Sequence, residues 1–208
     1  MTTRYYCTGR TVGEIQAKAY EMREVFQLGN STNFDILDLL ENRLPTLLEE
    51  YSFRVADDGE LQDGEEAVTR FSPLEIVVRP EVYEAAQRQE PRARFTLAHE
   101  LGHLSLHQAF PKAVMARGNI YSLQDNRVEK FRDAEWQADT FASRFLMPDD
   151  LVQDYDSAEY IETDFGVSRT AAEVRFEQIL KTRPREIPDR VKVILNQIKR
   201  QQGLPEIE

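Results

Sequence analysis

Apolar positions recur at helical spacing through the first quarter of the chain. Val12, Ile15, Ala19, Met22 and Phe26 fall on one face of a helix beginning near residue 12, and Gly29-Asn30 supplies its stop. Phe34, Leu37, Leu40, Leu44 and Leu48 make a second stripe. Pro45 is expected to end or kink that helix around Leu44, because proline lacks an N–H and collides with the preceding turn. The period then changes. Tyr51, Phe53 and Val55 alternate in "YSFRV", and "LEIVV" at 74–78 is a short β-rich run closed by Arg79-Pro80, so two strands are predicted. Between them "DDGELQDGEE" carries Asp57, Asp58, Glu60, Asp63, Glu65 and Glu66 with no base. It reads as a solvated loop or hairpin connection rather than an acidic binding surface.

Residues 92–107 form a helix, followed by the polar stretch "ARGNIYSLQDNRVEK", placed in a loop. "AEWQADTFASRFLMP" is helical up to Pro148, with Asp149 or Asp150 starting a short turn. Ser168 and the pair Thr170-x-x-Glu173 signal the start of a helix through Leu180, with Ala172, Phe176, Ile179 and Leu180 inward. A last helix from Pro188 buries Val191, Ile194, Leu195 and Ile198. Lys181, Arg183, Arg185, Arg190, Lys192, Lys199 and Arg200 cluster there and read as its solvated face. "FGVSRTAAEVRF" is only faintly similar to a helix-turn-helix, since one Gly-containing turn before one helix is weak evidence. There is no internal repeat.

Composition narrows the functional classes. The 208 residues, 41% hydrophobic and 30% charged, suffice for one sizeable core, and a single domain over 1–208 is expected. A net charge of -11 repels nucleic acid and anionic membrane, so direct nucleic-acid binding is not expected. The N-terminus has no apolar export segment and no run of 18 apolar residues occurs, which predicts a cytoplasmic protein without membrane association. Cys7 is the one cysteine, so any metal must be held by histidine and carboxylate.

All three histidines lie in "RFTLAHELGHLSLH". His99-Glu100-Leu101-Gly102-His103 fits H-E-x-x-H, and residues four apart on a helix aim two imidazole nitrogens at one point. A catalytic zinc takes three protein ligands and keeps a fourth position for water, so a third ligand must be found. The metzincin pattern is excluded, because its Gly and His positions are occupied by Leu106 and Ala109. His107, one turn beyond His103, would have to bend back to reach a shared metal, and is read as a supporting or packing residue. The stronger candidate is Glu135 in "EWQAD". Asp139, four residues on, shares its face and is placed to accept the other ring N–H of a ligand histidine. Ala138 and Ala142 beside them permit close approach of the two helices. Glu100 is then the base that takes a proton from water attacking a carbonyl and hands it to the leaving amine. Tyr121 and Tyr155 are candidates to polarise that carbonyl. The bland alternatives are a buried histidine pair without metal and an exposed acidic helix face. Zinc suits these ligands, although manganese or iron also accept them.

At these residues the chain resembles the ImmA/IrrE family of zincin-like metallopeptidases. "RARFTLAHELGHLSLH" is similar to that family's active helix and "EWQADTFASRFLMP" to its second metal helix. The resemblance is strongest over 92–148, looser upstream at "PLEIVVRP", and continues in "DFGVSRTAAEVRFEQIL". It implies a zincin-like α+β fold, the active helix packed on a small antiparallel or mixed sheet, with a helical C-terminal part. It implies zinc at His99, His103 and Glu135 with Glu100 as base. It also implies a separate helix-turn-helix repressor as protein substrate, in control of a phage, mobile element or stress response. A second class remains open: a metal-binding regulator or toxin-antitoxin component that acts by binding its partner without hydrolysis.

Overall fold

The computed structural model describes residues 7–107, 130–182, 197, 199 and 200. Tyr121, nearly all of the loop expected at 116–130, and Arg183, Arg185, Arg190, Lys192 and the apolar residues of the last expected helix lie outside the described residues. Helix α1 (Val12–Val25) starts as a capping box: the Thr11 hydroxyl accepts from the Glu14 amide while Glu14 accepts from the Thr11 amide. Ile15, Ala19 and Phe26 are buried, as the spacing predicts, and left-handed Gln27 and Gly29 turn the chain away. The second stripe departs from expectation. Helices α2 (Ile36–Asp38) and α3 (Leu44–Leu47) run through Pro45 as one rod, joined by a π turn over Leu39–Arg43 in which the Leu44 amide reaches back to the Leu39 carbonyl. The widened turn accommodates the residue that withdraws a donor.

The architecture is α+β. Strands β1 (Tyr51–Val55) and β3 (Leu74–Val78) form as predicted and pair in parallel. A third strand, β2 (Ala67–Phe71), was not foreseen; it hairpins onto β3 through Ser72-Pro73. The order β1-β3-β2 puts β3 in the middle. The strand at 74–78, which on its own could be expected to lie at an edge and pair with an extended substrate, is therefore central, and the edges are β1 and β2. Register sorts the side chains by face. Tyr51, Phe53, Ile76, Val78 and Thr69 share one side, and Arg54, Glu75, Val77 and Arg70 share the other. On the second side Glu75 is ion-paired to Arg54 and Arg70, and both arginines also bind Glu60. The acidic segment is thus pinned to the sheet by Glu60, and by Glu66 to Arg92, while Asp57, Asp58 and Asp63 stay solvated.

Helix α4 (Pro80–Gln87) leads into α5 (Pro91–His107), which packs on the first face of the sheet, and on α6 (Ala134–Leu146). Leu97, Leu101, Phe141, Phe145 and Leu40 fill the core between them. Short α7 (Asp149–Val152), α8 (Ala158–Phe165) and α9 (Arg169–Thr182) follow. The turn between α8 and α9 depends on Gly166 at φ +59, where a Cβ would also meet the Asn33 amide at 3.1 Å. In α9 Ala172 and Ile179 face inward as predicted, but Leu180 is 49% exposed, and Glu173 pairs with Arg169 instead of closing a capping box. Arg175, on the same helix, is instead 1% exposed. Three buried arginines act as staples on backbone carbonyls: Arg23 binds those of Phe145, Gly29 and Ser31, Arg94 those of Phe34 and Phe165, and Arg175 that of Met147. Each satisfies acceptors that helix ends and loops would otherwise leave unpaired.

Candidate metal centre

Helices α5 and α6 run antiparallel at close range because Gly102 of α5 lies on Ala138 of α6. A Cβ on Gly102 would stand 3.1 Å from the Ala138 Cα and carbonyl oxygen and 3.2 Å from the Phe141 Cβ. That approach brings Glu135 against the histidine pair. His99 Nε2 and His103 Nε2 are 3.0 Å apart, His99 Nε2 is 3.3 Å from Glu135 Oε2, and His103 Nε2 is 3.5 Å from Glu135 Oε1. A tetrahedral ion with bonds of about 2.0–2.1 Å spaces its ligands about 3.3 Å apart, close to the separation of the two imidazole nitrogens from each other and of each from one oxygen of the Glu135 carboxylate. The donor set fits zinc in number, type and spacing, and these residues could hold a metal ion. Burial disfavours a charged His99, but the hydrogen bonds to Asp139 and Glu135, with Glu100 nearby, outweigh it and raise this imidazole to about 10. The same two histidines hold Glu135 well below the usual carboxylate range although burial opposes them. An entering cation has to displace a proton from this cluster.

The surroundings place the remaining expected residues. Asp139 Oδ1 accepts from His99 Nδ1 at 2.9 Å, leaving Nε2 to face Glu135. Glu100 is 6% exposed, one residue from His99, and its Oε2 lies 2.7 Å from the Thr69 hydroxyl. Thr69 escaped prediction because its strand did, although the β-branched run "AVTRF" before Ser-Pro was the available signal. His107 contacts His103 through Nδ1 at 3.0 Å and takes no place among the clustered ligand atoms, as the helix spacing predicts. Burial, then the neighbouring His103, push its imidazole down to about 4. Tyr155 is not brought to the site; its hydroxyl donates to Asp164 and its ring packs on Phe165. A cleft of about 1600 Å³ opens over the cluster, bounded by β2 and the 62–66 segment on one side and by α6 and α9 on the other. Thr69, Phe95, Trp136, Met147 and Val174 are among its lining residues. It exceeds the usual size of a small-molecule pocket, about 300–1,000 Å³, and suits an extended peptide segment.

A three-stranded mixed sheet carrying an H-E-x-x-H helix, with a carboxylate-bearing helix packed across it, is the arrangement of a zincin-like domain. The chain matches the family model for the IrrE N-terminal-like domain, peptidase family M78, over residues 58–177, and belongs to that family. No curated protein matches the chain. A solved structure described as a Mycobacterium tuberculosis transcriptional regulator is similar to it, with 17% identity and a TM-score of 0.47, over 85% of this chain and 54% of the regulator. The chain therefore spans about half the length of that protein. Among the described residues no helix is long and apolar enough to cross a membrane.

Proposed function

We propose that this chain, as a single domain, is a zinc-dependent endopeptidase of the cytoplasm, with His99, His103 and Glu135 as ligands and Glu100 as general base. The observation that carries the reading is the cluster of two imidazole nitrogens and the Glu135 carboxylate at ligand-to-ligand spacing, with a second carboxylate, Glu100, next to His99 in sequence and facing the same cleft. Zinc, when bound, lowers the pKa of a water to about 7 and polarises a carbonyl oxygen. The chain's own groups do the rest. Glu100 takes a proton from the attacking water and delivers it to the departing amine nitrogen. Thr69 holds the carboxylate by one oxygen and leaves the other for that proton. Asp139 fixes the His99 ring with its lone pair toward the ion. Strand β2 borders the cleft, so an extended substrate segment can add to it as a further strand.

The substrate that agrees with the family resemblance is a separate helix-turn-helix repressor, in transcriptional control of a phage, mobile element or stress response. A basic DNA-binding partner also complements a chain of net charge -11. Glu100→Gln is the decisive variant: zinc content stays at the wild-type level while cleavage of the co-expressed repressor disappears. Cleavage retained in a clean preparation removes Glu100 as base. Repression relieved in cells by Glu100→Gln, with the partner intact on a gel, replaces hydrolysis with regulation by binding.

A further inference from the structure

Two buried polar side chains next to the centre have no part in the hydrolysis just described. His107 is 1% exposed and Gln137 is fully buried. Gln137 Nε2 donates to the carbonyl oxygens of Thr8 at 2.9 Å and Phe131 at 2.7 Å. Carbonyls only accept, so the amide cannot be flipped, and its oxygen must be the atom that faces His107. Gln137 Oε1 lies 3.2 Å from His107 Nε2, which therefore carries a proton. A neutral imidazole with its proton on Nε2 has its lone pair on Nδ1, and that atom is 3.0 Å from His103 Nδ1. His103 then donates from Nδ1, and its own lone pair is left on Nε2, the atom in the ligand cluster. A cationic His107 would reverse the last step, but a charged ring that is 1% exposed and set between an uncharged amide oxygen and a second imidazole is strongly disfavoured.

We propose that Gln137 and His107 are positioning residues, forming a neutral relay from two backbone carbonyls that locks His103 in the tautomer able to bind the ion. The inference deepens the metal-centre reading and rests on it for the identity of what His103 holds. The two ligand histidines are thereby oriented by opposite means. His99 relies on a partly solvated anion, whereas His103 relies on an uncharged, buried chain that adds no negative charge to the site. His107 lies outside the H-E-x-x-H motif, and its effect on the ion passes entirely through His103.

Imidazole nitrogen NMR on the metal-free full chain tests the relay directly. The expected pattern is a proton on His103 Nδ1, with His107 protonated on Nε2 and bare on Nδ1. His103 bare on Nδ1 overturns the proposal, whatever the variants do. Zinc affinity, read by chelator competition, supplies the second test. His107→Leu should weaken zinc by about 10- to 100-fold, as loss of such an outer partner does. His107→Asn, which keeps an acceptor oxygen where Nδ1 was, should restore most of it. Equal affinities for the Leu and Asn variants reduce His107 to packing and overturn the proposal. Gln137→Met, nearly isosteric, should leave His107 a mixture of tautomers and lower zinc affinity; an unchanged His107 pattern is equally fatal. Thermal unfolding of each variant separates these effects from misfolding. If the wild-type chain binds no zinc, the metal-centre reading fails, and the tautomer spectra still decide the hydrogen-bond chain.

Discussion

Gly102→Ala adds one methyl group at the point where α5 and α6 touch, and its consequences for stability and for the metal should separate. The added Cβ would stand 3.1 Å from two Ala138 backbone atoms, which cannot rotate aside. Carbon atoms prefer separations of about 3.5–4.0 Å, so the helices must part by roughly 0.4 Å. Metal–ligand distances hold to within about 0.2 Å. The same displacement moves Glu135, three residues before Ala138, away from His99 and His103, and opens the two separations of 3.3 and 3.5 Å. Stability suffers less. Overpacking costs about 1–3 kcal/mol, but alanine in a helix interior recovers about 1 kcal/mol relative to glycine. The net loss is about 0–2 kcal/mol, readable as a small drop in thermal midpoint. Zinc affinity measured by chelator competition should fall about 10- to 100-fold, comparable to the loss of a supporting contact. Wild-type zinc affinity in Gly102→Ala would refute the argument that this close approach sets the ligand geometry. Gly102→Val should enlarge both effects.

Other outcomes follow from the same contacts. Glu135→Ala should lower zinc affinity more than about 100-fold, a greater loss than an outer partner causes, and undiminished binding would mean that the third ligand lies elsewhere. Glu75 is held below the usual carboxylate range by Arg54, against burial, and by Arg70. Its contribution is complete above the ordinary glutamate value and is lost as pH falls through its lower folded value. Glu75→Gln should therefore cost about 1–2 kcal/mol at neutral pH and progressively less in acid, by urea unfolding; a pH-independent difference would contradict the ion pairing. Burial pushes the Cys7 thiol up to about 11, against nearby Arg10. It should react more slowly with a thiol reagent in mildly alkaline buffer when folded than when unfolded, and equal labelling rates in the two states would contradict the shift.

The two helices of the site were legible because their chemistry is spaced by the helix itself: His99 with His103, and Glu135 with Asp139, each four residues apart. That they meet is a tertiary fact, hinted at by Ala138 and Ala142 but completed by Gly102, whose lack of a side chain leaves no periodic signal. The relay was less visible still. Gln137 reads as an ordinary polar residue of "EWQAD", and only its distant partners, the Thr8 and Phe131 carbonyls, give it a direction. Strand β2 was hidden because all five of its residues are half-buried, which blurs the alternation that marked β1. Sheet order cannot be read from local pattern, so β3 could be recognised as a strand without revealing that it is the central one. Pro45 misled because a π turn absorbs what usually breaks a helix. Arg23, Arg94 and Arg175 carry charge and so read as surface, whereas backbone carbonyls inside the fold had unmet demand for donors.

Among the described residues no strand pairs with the outer edge of β2, and such an edge would be as attractive to a second copy of this chain as to a substrate. The cleft that β2 borders is also lined by Asp63, Glu65 and Glu100, and by Glu66, which is already paired with Arg92. Two copies approaching edge to edge would bring both sets of carboxylates together, whereas a cationic segment meets no such barrier. Local acidity thus acts as a sieve that discourages self-pairing while admitting a strand of opposite charge. Because this barrier is electrostatic, salt or acid should lower it, and light scattering across ionic strength would reveal a propensity to associate that dilute neutral buffer conceals.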